Sequence, residues 1–200
     1  HGFVTVYAES VGKLHFYTSA KIKIDLDKKE VQTDAIRSSE LDVKDSITSA
    51  IYALAFEDEF AALDYYLEKL TEEEPVVGKT QAAVDNTSGK GYQTPYYAVS
   101  LNADWKDELY SAYLENPKRS KQDWQEKLED EEITPKSCDI NIQLYMKKAH
   151  TRPSERIYNQ VVQDIEDMEE LAPGTYSIYL NDNRIDKNLG YNPRKSTLGR

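Results

Sequence analysis

The sequence has one cysteine, Cys138, in 200 residues. That excludes an internal disulfide framework and any multi-cysteine metal site, and it favours a reducing, cytoplasmic or otherwise intracellular setting. No apolar run reaches 18 residues, there is no signal-peptide pattern, and mean hydropathy is −0.73. Membrane insertion is therefore not expected. Methionine and tryptophan occur only twice each and phenylalanine four times, but there are 15 tyrosines. Tyrosine must supply much of the packing. Its ring buries well while its hydroxyl needs water or a partner, which places Tyr65, Tyr66, Tyr96, Tyr97, Tyr110 and Tyr113 at half-buried positions and interfaces.

The recurrent signatures of catalysis are also missing. Gly78-Lys79-Thr80 resembles the end of a phosphate-binding loop, but the position that needs the first glycine holds Glu73. Gly89-Lys90-Gly91 has no following helix to present amides and reads as a flexible loop. No GxSxG or HExxH pattern occurs. Cys138 falls on the apolar side of an alternating strand, where a small buried hydrophobe is the ordinary role, and nothing brings His150 to it. The chain opens on His1, read as a tag remnant. A copper-holding histidine brace would need His15 or His150 nearby, and the first strand gives no reason for that. No metal or cofactor is expected.

Formal net charge is −11, and the excess is local. Glu72, Glu73 and Glu74 form one run, Glu129, Asp130, Glu131 and Glu132 a second, and Glu166, Asp167, Glu169 and Glu170 a third. Outside these eleven carboxylates, acids and bases balance at 25 each. Each run closes an amphipathic segment, where a helix would expose its negative end, and carboxylates there oppose stability by roughly 0.3–1 kcal/mol each. Either the helices stop a turn earlier and the acids are solvated loop, or some of the acids meet a cation or a basic partner.

Periodicity places a strand over 3–8, a turn at Ser10-Val11-Gly12-Lys13 and a long strand over 14–26. In the latter Leu14, Phe16, Thr18, Ala20, Ile22, Ile24 and Leu26 face a covered side, and His15, Tyr17, Lys21, Lys23 and Asp25 a wet one. Ser39 with Asp42 resembles a capping box before Val43, Ile47, Ala50, Ile51 and Leu54. The stripe Phe60, Leu63, Leu67, Leu70 continues as the same helix or a second one, ended by Pro75. Residues 76–95 read as a long loop. A strand follows over 96–101, then helices capped by Asn102 and by Ser120 with Asp123. A clear strand spans 138–146, a helix starts near Pro153, and a last strand covers 175–180. The fold class is α+β, an antiparallel sheet with one face covered by amphipathic helices, forming a single domain over 1–180. Residues 181–200 form a polar, basic tail, with Arg184, Lys187, Arg194, Lys195 and Arg200, held by the acidic runs of the same chain or by a neighbour.

The function that fits is non-enzymatic: a protein-interaction or assembly protein that binds itself or another protein through the acidic helix ends, the tyrosine-rich surface and the tail. An alternative is an acidic inhibitor that imitates nucleic acid and occupies a basic partner. A second is a metal-dependent nuclease or phosphoesterase, for which Asp25, Asp42 and Lys44 supply the residue types. Direct nucleic-acid binding through Lys13, Lys21, Lys23, Tyr17 and Tyr145 is disfavoured by the net charge.

Overall fold

In the computed structural model, described for residues 2–86, 91–183 and 197–199, two separate sheets share six helices. The strands are β1 (Gly2–Glu9), β2 (Tyr17–Asp25), β3 (Glu30–Arg37), β4 (Val76–Val77), β5 (Tyr92–Gln93), β6 (Tyr97–Leu101), β7 (Cys138–Met146), β8 (Thr175–Asn181) and β9 (Thr197–Gly199). The helices are α1 (Glu40–Ala55), α2 (Glu57–Glu73), α3 (Gln81–Asp85), α4 (Lys106–Glu115), α5 (Lys121–Glu129) and α6 (Glu155–Asp167).

The α+β class is as the sequence indicates, and the main sheet has one covered face. Its order is β5-β6-β7-β8-β9, with β4 also paired to β7. Along β7, Cys138, Ile140, Ile142, Leu144 and Met146 are buried while the residues between them are half-buried. This is what a sheet covered on one side requires of a period-two strand. The buried row meets Ile47, Ile51, Leu63, Leu67, Ile157 and Val161 of α1, α2 and α6 in one core. One pairing departs from the antiparallel pattern: β7 and β8 run parallel, Asp139 opposite Thr175 through Tyr145 opposite Asn181. Helix α6 makes the crossover that a parallel pair needs.

Local chemistry explains most element ends. Ser39 caps α1 by accepting the Asp42 amide hydrogen bond at 3.2 Å. Ser120 and Asp123 form a full reciprocal box at α5. The 40–73 region is two helices that meet at Phe56. Asn102 does not cap α4, whose N-cap is Trp105; the Asn102 amide instead donates to Asp139 across the sheet at 2.6 Å. The 76–95 segment is not a bare loop but contains β4, α3 and β5.

The largest departure lies at the N-terminus. The expected strand over 14–26 starts only at Tyr17, and residues 30–37 add a strand that the reading from sequence omits. Strands β1, β2 and β3 pair antiparallel in a sheet of their own. This sheet is fastened to the body by Leu14 and Tyr17, both buried, and by the Gln81 amide of α3 donating to the Tyr17 hydroxyl at 3.2 Å.

Candidate functional site

Register decides what each face of the N-terminal sheet carries. Val4 lies opposite Ile22, which lies opposite Ile36; Gly2, Ile24 and Val31 form the next row, and Val6 with Ala20 another. Partners across strands share a face, so all of these apolar residues project to one side. Leu26 folds over the same side at Gly2, where a Cβ would stand 3.7 Å from its Cδ1. The opposite side carries Thr5 with Lys21 and Arg37, and Phe3 with Lys23 and Gln32.

Both sides of β1 are open, since Phe3 and Tyr7 on the polar side are 59% and 39% exposed, but only the other side is uniformly apolar at its paired positions. Val4, Val6, Val31 and Ile36 are 45%, 43%, 57% and 54% exposed. Neither they nor Ala20, Ile22 and Ile24 belong to the hydrophobic core or pack against it. The expectation that the even positions of β2 meet a covering layer is therefore corrected: Ala20, Ile22 and Ile24 are only half-buried, and among the described residues none of them joins the hydrophobic core. The face spans three strands and about seven residues, a planar footprint of ~340 Å² at strand spacings of ~4.8 Å and rises of ~3.4 Å. That is the size of the largest apolar patch on a typical monomer, ~300–600 Å², and such patches are often functional.

The acidic runs do not form one site. Helices α2 and α6 lie antiparallel, joined at one end by a bidentate Arg156–Glu74 pair (2.9 and 2.5 Å) and a helical turn or two away by the Tyr66 hydroxyl donating to Asp164 at 2.8 Å. Arg156 holds the Glu74 carboxyl below its ordinary range. The groove between the helices is lined by Glu73, Asp164 and Asp167 with Lys69, so the first and third runs contribute to one cleft. Glu72 and Glu73 are helical and Glu74 is the C-cap, so the first run is not loop. Lys69 at 3.7 Å from Glu73, and Gln163 donating to Asp167 at 3.0 Å, offset part of the unfavourable placement. The second run sits elsewhere: Glu129 and Glu131 line a cavity of about 540 Å³ with Glu59, Phe56, Leu128 and Ile133. Glu59 and Glu73 are fourteen residues apart on α2, which is ~21 Å along a helix. Glu129 ends α5, Asp130 is its C-cap, and Glu131 and Glu132 follow. Glu166 closes α6 with Asp167, and Glu169 and Glu170 are exposed beyond it. Arg184, Lys187, Arg194 and Lys195 lie outside the described residues; beyond them β9 pairs antiparallel with β8.

The residues of the nuclease alternative have separate structural roles. Asp25, 8% exposed, accepts the backbone amides of Asp27 and Lys28 at 3.1 Å each and closes the turn after β2. Asp42 lies in the first turn of α1, and Lys44 pairs with Asp107 of α4 while covering the Tyr110 ring at 5.8 Å. Among the described residues no group of three His, Cys, Asp or Glu side chains is arranged to hold a metal ion. Cys138 is buried and its thiol is pushed up to about 12 by desolvation. Among the described residues, no helix is long and apolar enough to cross a membrane.

Tyrosine behaves less uniformly than composition suggests. Tyr65 is 71% exposed, whereas Tyr97 is wholly buried and its hydroxyl has no partner at ordinary hydrogen-bond distance. Sequence reading missed Tyr52, buried in α1 and donating to the Pro173 carbonyl. It also missed Asp64, half-buried against Tyr97 and raised to about 6 by desolvation. An acidic residue inside the apolar stripe of α2 is the signal that could have found Asp64.

Together these features define an α+β protein with an open apolar sheet face and acid-lined clefts. The chain belongs to the DUF1672 family, described as a protein of unknown function, whose family model matches residues 1–200. It is similar in structure to a DUF1672 family protein from Staphylococcus aureus subsp. aureus Mu50, at 14% sequence identity and a TM-score of 0.68, over 98% of this chain and 75% of that one. No curated protein matches it.

Proposed function

We propose that this is a non-enzymatic assembly protein, and that a second copy of the chain is what occupies the open face of the N-terminal sheet. The observation that carries the reading is the row Val4–Ile22–Ile36 with its apolar neighbours, outside the hydrophobic core among the described residues. The paired positions of this face hold no ionisable side chain, in a chain of net charge −11. Two copies can therefore meet there without opposing like charges directly, while the acidic runs disfavour other approaches.

The face is also graded in size, with Ile24, Val31 and Leu26 at one end and Ala8, Ala20 and Thr18 at the other. A twofold axis lying in the interface across the strands sets the large end of one copy over the small end of its partner. The result is an aligned sandwich of two sheets ~10 Å apart. A footprint of ~340 Å² per copy falls below the ~800 Å² of a standard stable interface, so the dimer is reversible, with a micromolar or weaker Kd.

Sedimentation from ~1 to ~500 µM brackets that range. The weight-average mass should rise from 23.0 kDa toward twice that value, and association should strengthen with salt as repulsion between acidic copies is screened. Ile36→Asp and Val4→Asp, at exposed positions, should keep the circular dichroism spectrum and remain monomeric. A constant monomer mass, or association unchanged in both variants, overturns the proposal. Binding to a basic protein that weakens with salt and is lost on neutralising Glu129–Glu132 would favour the inhibitor reading instead.

A further inference from the structure

The structure points to a second site, independent of the sheet face. A cavity of about 460 Å³ lies where the β1–β2 turn approaches the connection between α4 and α5. Its apolar lining comes from Leu14, which is 8% exposed, and from Phe16, Tyr113 and Pro117. Its polar lining includes Lys13, Lys118 and Arg119.

The charge of this cavity is opposite to that of its surroundings. Three other cavities are each lined by three carboxylates: Glu59, Glu129 and Glu131; Asp107, Glu108 and Glu115; and Glu73, Asp164 and Asp167. This one has three cations and no acid in its lining, in a chain of net charge −11. Neither Lys13 nor Lys118 makes an ion pair with a carboxylate among the described residues. Arg119 is held in place, its guanidinium 5.7 Å from the centre of the Trp124 ring and 3.8 Å from Glu115, its Nε donating to the Ala112 carbonyl at 3.4 Å.

Two exposed lysines without carboxylate partners line one cavity with Arg119, so an anion seated there is attracted by all three charges. The amides at the start of α5 are not the source of the attraction, because Ser120 and Asp123 cap each other there. Lysine ammonium groups act as compact point charges that accept a carboxylate or a phosphate head equally. Beneath them the lining is aliphatic and aromatic, and 460 Å³ falls within the ~300–1,000 Å³ of small-molecule sites.

We infer that this cavity binds a single-chain anionic amphiphile, its aliphatic part on Leu14, Phe16, Tyr113 and Pro117 and its head between Lys13, Lys118 and Arg119. Head and chain are both required: a purely polar anion would leave the apolar floor wet, and a neutral chain would leave the three cations without a counter-charge.

Calorimetry on the 200-residue chain with dodecanoate, dodecyl phosphate and dodecanol, each below its aggregation concentration, tests the inference. Trp124 fluorescence gives a second readout beneath Arg119. At least one anionic probe should bind with a Kd of ~10–100 µM, and dodecanol about tenfold more weakly or worse. Which anionic probe binds tells a carboxylate head from a phosphate. Lys13→Glu with Lys118→Glu should lose about tenfold or more in affinity, while the circular dichroism spectrum and the self-association of the sheet face stay unchanged. Binding of neither anion, binding of dodecanol as tight as that of the anions, or undiminished affinity in the charge-reversed variant overturns the inference.

Discussion

Asp64 offers a direct measurement of the packing between α2 and the main sheet. Its carboxyl is half-buried and desolvation lifts it from its ordinary 3.8 to about 6; Tyr97 draws it partly back and Glu68 pushes it up further. The folded protein thus holds this proton to a higher pH than the unfolded chain does. Stability from the protonated group is fully present below about pH 4, declines as pH rises through about 6, and is lost above that. At 1.36 kcal/mol per pKa unit the shift corresponds to about 3 kcal/mol, which partial access to water reduces to roughly 1–3 kcal/mol. Asp64→Asn removes the titration and keeps the shape. Urea unfolding should show the variant more stable than the wild type by roughly 1–3 kcal/mol at pH 7.5, with the difference vanishing near pH 4. Tyr97→Phe removes the hydroxyl that favours the carboxylate. Introduced into both the wild type and the Asp64→Asn variant, it should widen the gap between them at neutral pH. A difference that does not vary with pH, or an Asp64→Asn variant less stable than wild type at pH 7.5, would refute the assignment of burial as the cause.

Two further expectations rest on close contacts. A Cβ at Gly91 would stand 2.2 Å from the Val99 carbonyl oxygen, so Gly91→Ala should push β5 off β6 and cost about 1–3 kcal/mol in thermal or urea unfolding; an unchanged midpoint would contradict that packing. Cys138, buried with its thiol pushed up to about 12, should resist a disulfide reagent in the native protein and react once the chain is unfolded in urea. Rapid native labelling would count against its place beneath the sheet.

How much could be read from the residues varies by element, for physical reasons. Strand β7 alternates five buried apolar residues with four half-buried ones and meets the core on one side only, so period two alone identifies it. The α5 cap is equally local, because Ser120 and Asp123 satisfy each other without help from the rest of the fold. Strand β3 is different. Its register against β2 jumps between Ile22 and Lys23, so Gln32 and Ile36 face neighbouring residues while three of its own residues bulge between them, and the alternation is broken before it can be recognised. Strands β4 and β5 have two residues each and are defined by partners outside their own short segments. The acidic runs were legible as residues but not as places, since only the α2–α6 packing puts Glu73 and Asp167 on one cleft. The open face was hidden for a similar reason: Ala20, Ile22 and Ile24 alternate in the same way whether a layer covers them or not.

The N-terminal sheet draws all of its strand pairing from residues 2–37, whereas β7 is tied to β4, β6 and β8 from across the chain. The two sheets should therefore differ in cooperativity. A meander of neighbouring strands closes only short loops and can open and re-form by itself, while the main sheet can open only by giving up the core. Amide hydrogens of β1–β3 would then exchange through local openings, and those of β7 through global unfolding. Two copies meeting on the first sheet would slow exchange there and leave the second untouched.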